Sequence, residues 1–371
     1  MPLQNPIFSH QKSLNFCGVP PEEHVMEYMF INRPEFIEPI RVLFLCGAKF
    51  NNSESDKRVI LKKYLETDPK NKVLILEKYF DFAMRKVSRT ELLSYYDAEL
   101  FNLHSIESFA ALMATNVIII HESLSTAGEL GVFGSNKALR DRIITLAPDQ
   151  FSVEEEKISG FLKLAFWNRH EQLVSNNVIR FYPSIAQSIV SETHSFYETY
   201  FYNNSLPVAL AARISDQLIV EPRSSIVAVR RECIAKEHHS ADIWLSCDAI
   251  KNYLLALLSV PDNRRQLRSC SKVCDVRNVL HSAFVLTMKN SYYHIYGIRP
   301  KTIVIHIKGQ PDLSFESAIS FLIYFCHACE IMKISCNDDK TISVSFAKNT
   351  SSLWRSYSKL IAPVSFAKWG E

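Results

Sequence analysis

Four apolar runs constrain this chain more than any other feature: RVLFLCG from Arg41, KVLILE from Lys72, NVIIIHES from Asn116 and RIITLAP from Arg142. Each is apolar on both faces, as a strand must be when it lies between two covering layers. The segments between them read as helices. SDKRVILKKYLE sets Val59, Ile60, Leu61, Tyr64 and Leu65 on an apolar face, the stretch near Thr90 to Met113 is helical in pattern, and AGELGVFGSNKALRD follows the third run. Strands alternating with helices predict a parallel sheet covered on both sides, a Rossmann-like α/β domain.

At 371 residues the chain is long enough for two domains. Residues 1–39 carry Pro2, Pro6, Pro20, Pro21, Pro34 and Pro39 with little apolar periodicity, and are expected to form an arm or a loose terminus. Residues 40–175 are assigned to the α/β domain and 176–371 to a helical and α+β domain used for docking. Within the latter, helices are expected over 184–205 and 238–259, joined by a hairpin in DQLIVEPRSSIVAVR. A long basic helical stretch runs from Asn263 to about Lys289; KTIVIHIK, an apolar helix over Ser314–Met332 and TISVSFA complete a small α+β unit.

The net charge of +3 does not by itself demand nucleic acid. Its distribution is uneven: residues 1–170 balance to −2 and residues 171–371 to +5. Nine cysteines, an odd number, occur in a chain whose start, MPLQNPIFSHQKSLNF, has no apolar signal core. These features predict a soluble cytoplasmic protein with reduced thiols and no membrane partner.

In an open parallel sheet, ligands bind beyond the carboxyl ends of the strands. Three such ends carry chemistry: Cys46-Gly47-Ala48-Lys49, Glu77, and His121-Glu122-Ser123, the last running on through Ser125, Thr126 and Gly128 to Glu129. Small residues at a helix start let a ligand approach free backbone N–H groups. Glu129 has two readings. Thr126-Ala127-Gly128-Glu129 fits the capping box, in which Glu closes the helix N-terminus. Alternatively Glu129 projects from the first turn, held ionised by the helix dipole, toward a sugar carbon whose bond to a base is breaking. The two are compatible. There is no GxGxxG, which disfavours a dehydrogenase site, and no Walker A sequence.

RVLFLCG, LILEKYF and above all NVIIIHESLSTAGELGVFGSNKALRDRIITL resemble the nucleoside 2-deoxyribosyltransferase-like domain, in the version found as the toxic effector of type I retron anti-phage systems. The resemblance covers about residues 40 to 150. It implies N-glycosidic cleavage of a nucleotide or of NAD, with NAD a substrate and no cofactor or metal required. It places the catalytic carboxylate on Glu129 and the acid after the second strand on Glu77. Glu122, Ser123, Ser125 and Thr126 fall on the loop that family members use near the sugar or phosphate. From their own positions at the strand ends and helix start, Cys46, Gly47, Ala48 and Gly128 join them as substrate-binding residues, and His121 is a candidate acid for the departing base. Asp81 and Glu107 are further pocket acids. The implied partners are a retron reverse transcriptase and its multicopy single-stranded DNA, in a complex that can be oligomeric.

The residues also allow other readings. Arg264, Arg268 and Lys272 recur every four positions, with Arg265 and Arg277 close by. On one helix they would neutralise phosphates without reading sequence, or simply face water. Cys326-His327-Ala328-Cys329, with Cys336 beyond, lies in an apolar helical stretch and reads as core rather than as a zinc site. His238-His239 reads as an exposed helix start. The alternatives to an enzyme are a non-catalytic nucleotide-sensing module that binds a partner, and a nucleic-acid scaffold.

Overall fold

The computed structural model describes residues 27–31, 33–48, 56–81, 93–94, 103–148, 178–181, 201, 206–226, 240–337, 341–348 and 350–364. Residues 1–26, the expected helix over 184–205, His238-His239 and the side chain of Asp81 lie outside these.

The part of the expected arm within reach is not an arm. Strand β1 (Tyr28–Phe30) pairs antiparallel with the last strand among the described residues, Ile361–Pro363, and β2 (Arg33–Ile37) pairs antiparallel with Arg223–Ile226. Phe30 and Phe36 are core residues, and Phe30 stacks on Tyr253. Two short strands, with one core aromatic each and Pro34 inside the second, leave little periodicity to detect.

The four apolar runs are strands. They form β3 (Arg41–Cys46), β4 (Asn71–Leu74), β7 (Asn116–Ile120) and β8 (Ile143–Pro148). A fifth strand, β9 (Val178–Phe181), joins them beyond residue 175. All are parallel, in the order β4-β3-β7-β8-β9. The short elements between β4 and β7 are α2 (Leu76–Tyr79), β5 (Phe80–Asp81) and β6 (Leu93–Ser94).

Helix α1 (Lys57–Leu65) covers one face of the sheet with Leu61 and Leu65, joined there by α6 (Val208–Asp216) through Leu210 and Ile214. Helices α3 (Leu103–Met113) and α4 (Leu124–Ser135) cover the other, through Ile106, Phe109, Leu130 and Phe133, and the short α5 (Lys137–Arg140) leads into β8. Each such fully buried side chain contributes roughly 1.5–3 kcal/mol.

The second half departs from the sequence expectation in two places. The segment expected to be helix from 238 begins as strand β11 (Ser240–Leu245), and helix α7 (Cys247–Ser259) starts only after Ser246. The expected hairpin is absent among the described residues, because β10 (Arg223–Ile226) is spent on β2. KTIVIHIK forms β12 (Thr302–Ile307), in parallel register with β11. The basic stretch is two helices, α8 (Pro261–Arg268) and α9 (Val273–Tyr296), the latter closed by Gly297 at φ 70°. Helix α10 (Phe315–Ala328) then precedes the hairpin of β13 (Met332–Cys336) and β14 (Ile342–Phe346), and α11 (Ser351–Tyr357) leads to β15 (Ile361–Pro363).

One core runs through both halves. The α3 face of the sheet is continuous with the residues buried by α7, α9 and α10. Phe109 of α3 meets Phe321 of α10 edge to face at 5.3 Å, and the Tyr324 hydroxyl donates to the Leu76 carbonyl at 3.0 Å. Cys326 and Cys329 are sealed in this core, and His327 Nδ1 accepts the Ile334 N–H.

Candidate active site

The strand order reverses direction at β3: the chain passes from β3 to β4 on one side, then crosses to β7 on the other. Such a switch point opens a crevice beyond the carboxyl ends of the two central strands. Cys46 closes β3 there, and His121 follows β7, its N–H donating to the Leu146 carbonyl at 2.9 Å.

The start of α4 bears on the capping reading of Glu129. Ser123 is the N-cap: its side chain accepts the Thr126 N–H at 3.3 Å, and Thr126 Oγ1 accepts the Ser123 N–H at 3.1 Å. The capping box is therefore Ser123 with Thr126, not Thr126 with Glu129. Glu129 lies one turn deeper, in the second turn of the helix, and its carboxyl group takes no part in the cap.

Burial governs that carboxyl. Oε2 is sealed from water and has no hydrogen-bond partner among the described residues, while the Cys46 thiol bonds the same group. Burial first, then the nearby Glu107 and Glu77, push Glu129 up to about 8, against the opposing pull of Arg58. The pull of the helix dipole toward an ionised Glu129 is thus outweighed, since the dipole fades within the first turn and desolvation raises the carboxyl. Glu107, from α3, is raised to about 7 by burial and by Glu77. The Cys46 thiol is raised too, by burial and by the same acids. An unpaired buried oxygen costs about 1–3 kcal/mol.

The cation among these acids is Arg58, which sequence patterning left inside a surface helix. It is 2% exposed, and Nη1 donates to Glu77 Oε1 at 2.7 Å. The spacing of the apolar residues in α1 gave no sign of it; the glycine at position 47 is the signal that was present.

The remaining expected residues lie along the loops after β3 and β7 and at the start of α4. Gly47 and Ala48 make the turn after β3, and the Ala48 carbonyl accepts from Arg58. Glu122 is held by Lys57 at 2.6 Å, and Lys57 Nζ lies 5.6 Å and 5.8 Å from the ring centres of Phe181 and Phe201. Ser125 Oγ is 2.7 Å from Ser123 Oγ, and the space beside Gly128 is open. His121 Nδ1 is 3.4 Å from Thr126 Oγ1, and burial lowers its pKa, so the ring is neutral at neutral pH. Among the described residues no cluster of His, Cys, Asp and Glu is gathered as metal ligands.

The basic stripe is not one helical face. α8 ends at Arg268, and Lys272 is the extended N-cap residue of α9. Arg264 donates to the Leu258 carbonyl at 2.6 Å and lies 5.2 Å over Trp354, while Arg268 lies 5.5 Å over Phe346. Arg265 is exposed and pairs with Asp262 at 3.3 Å. Arg264 and Arg268 thus face the closing elements of the chain, and Arg265 faces water.

Comparison with known proteins agrees with the direction of the sequence motifs and extends it. A relative from Escherichia coli, named "Retron Ec73 putative ribosyltransferase/DNA-binding protein", is 31% identical over 120 residues, 32% of this chain and 35% of that protein. The match thus spans about a third of the relative's length. The family model described as STM3845 retron effector protein matches residues 54–333, well past the motifs near 40 to 150 and deep into the second half. That match takes in the crevice from Arg58 to Glu129 and most of the chain, so the protein belongs to the STM3845 retron effector family.

Proposed function

We propose that this retron effector breaks the N-glycosidic bond of a nucleotide or of NAD, with Glu129 as the carboxylate at the sugar. The observation that carries this reading is the sealed, unpartnered Oε2 of Glu129 at the switch point, beside Glu77 and Glu107. As the C1′–N bond breaks, both electrons leave with the base and positive charge develops on the sugar ring. Glu129, in its ionised form, stabilises that charge or bonds to C1′. Water or another acceptor then forms the new bond at C1′ and releases a proton.

A neutral base leaves with a proton, whereas a pyridinium base leaves as the neutral molecule without one. Glu107, raised to about 7, holds a transferable proton at neutral pH. The neutral ring of His121 holds none, so Glu107 replaces His121 as the acid in this reading. Glu77, fixed by Arg58, faces the ribose hydroxyls, and Ser123 and Ser125 at the mouth of α4 receive a hydroxyl or phosphate. The partners in this reading are a retron reverse transcriptase and its multicopy single-stranded DNA in the cytoplasm, and the effector is toxic when released from them.

The test is to express the full chain and Glu129→Gln in cells and quantify NAD, purine nucleotides and free bases by mass spectrometry. Depletion of one pool with release of its base, by the wild type alone, supports the reading and identifies the substrate. Equal pools in both strains, with nucleotide binding to the purified chain, would instead establish the sensing module.

A further inference from the structure

Every arm of the Arg58 guanidinium is engaged inside the protein. Nη1 donates to Glu77 Oε1 at 2.7 Å, Nη2 donates to the Ala48 carbonyl, and Nε lies 3.3 Å from Asp56 Oδ1. Asp56 is itself fixed, because it caps α1 by accepting the Arg58 N–H at 2.9 Å. The side chain passes directly over Gly47, where a Cβ would stand 3.0 Å from Cδ and from Nε. One residue thus ties the start of α1, the turn after β3 and the acid after β4. An arginine that served only to stabilise the fold would not need its planar fork aimed at Glu77, whose side chain is 38% exposed at the crevice.

We propose that Arg58 is a positioning residue of the glycosidic reaction: threaded past Gly47, it fixes Glu77 and the Cys46–Ala48 turn as the wall of the crevice opposite Glu129. The reaction it serves is the one proposed above, and this inference rests on that reading. A lysine keeps the charge but not the fork, so it cannot hold Glu77 and the Ala48 carbonyl together. A methionine keeps neither. A methyl group at position 47 moves the guanidinium without touching its chemistry.

The experiment uses the full chain and Arg58→Lys, Arg58→Met, Gly47→Ala and the Gly47→Ala/Arg58→Met pair, each checked for a cooperative unfolding transition. Two quantities are read: the pH profile of kcat and KM on the nucleotide that the wild type consumes, and the Glu129 carboxyl titration by carbon NMR, assigned with Glu129→Gln. Misplacing a reacting group by about an ångström costs on the order of a hundredfold in rate. Arg58→Met is expected to lose kcat on that scale with KM little changed, and to move the Glu129 midpoint upward. Arg58→Lys should lose kcat while leaving the midpoint near the wild-type value. Gly47→Ala should cost rate in the wild type and add little in Arg58→Met, because both act through one side chain.

Unchanged kcat and midpoint in a folded Arg58→Met, or in Arg58→Lys should the former not fold, overturn the proposal. A Gly47→Ala loss that is equal in both backgrounds does the same. A wild-type chain that consumes no nucleotide overturns the reaction itself. The NMR midpoint then decides the positioning alone: a shift in Arg58→Met upholds it, and none refutes it.

Discussion

Lys251 Nζ lies 2.6 Å from Glu38 Oε2, a contact between residues 213 positions apart, both almost wholly sealed from water. Lys251 also donates to the Met113 carbonyl at 3.1 Å, and Asn252 donates to Glu38 Oε1 at 3.1 Å. The pair joins the segment before β3, the end of α3 and the middle of α7. Removing one partner leaves the other's charge buried without its counter-ion, which costs about 3–5 kcal/mol. Lys251→Met is expected to lower the urea midpoint on that scale. A Lys251→Met/Glu38→Leu double variant should recover a large part of the loss. A double-variant loss equal to the sum of the two single losses would mean that the pair does not act as a unit.

The acids of the crevice set a pH dependence of stability. Glu129 and Glu107 have folded-state values raised to about 8 and about 7, so the folded chain holds protons that the unfolded chain releases. Their favourable contribution is complete below the ordinary carboxylate range and is lost as pH rises toward those values. Melting temperatures of wild type and Glu129→Gln should therefore differ by an amount that changes between pH 5 and pH 8. The variant, which carries no charge to bury, should gain relative to the wild type toward the upper end. A constant difference would mean that Glu129 titrates normally.

Reassignment of the α4 cap has its own test. Ser123→Ala removes the acceptor for the Thr126 N–H and is expected to cost about 1 kcal/mol. Glu129→Gln, compared at pH 5 where the native carboxyl is protonated, should cost far less. Equal destabilisation by the two would return Glu129 to the capping role.

The arginines of α8 separate into two kinds. Arg264→Ala removes a carbonyl contact and a ring contact with Trp354, and should lower the melting temperature measurably. Arg265→Ala, at an exposed pair with Asp262, should leave it within experimental error. If single-stranded DNA binds this region, Arg265→Ala and Lys272→Ala should flatten the salt dependence of affinity, whereas an unaltered slope would place the contact elsewhere.

What was legible in the sequence followed burial. β3, β4, β7 and β8 are apolar on both faces, and a chain rarely carries such runs for any other reason. β9 leaves little trace in the sequence, because VIRF is short and lies past the expected boundary. β11 is hidden in the sequence because SADIWL runs straight into helix α7, and only its partner β12, some sixty residues later, makes it a strand. At the site, the motif marks Glu129 but not the surroundings of its carboxyl. The tetrapeptide places it near a helix start, whereas its desolvation depends on Glu107, Glu77 and Cys46, which arrive from three other elements. Arg58 stayed hidden for the same reason: nothing in SDKRVILKKYLE distinguishes a buried arginine from a solvated one.

The edge-to-face meeting of Phe109 with Phe321 bears on how such a chain can be inherited. Each ring is the other's shelter, so neither half carries a finished surface where they join. A recombination event that exchanged one half for a distant cousin's would strand an oily face on both products. Variation in this protein should therefore accumulate by paired change across that seam, not by the trading of cassettes.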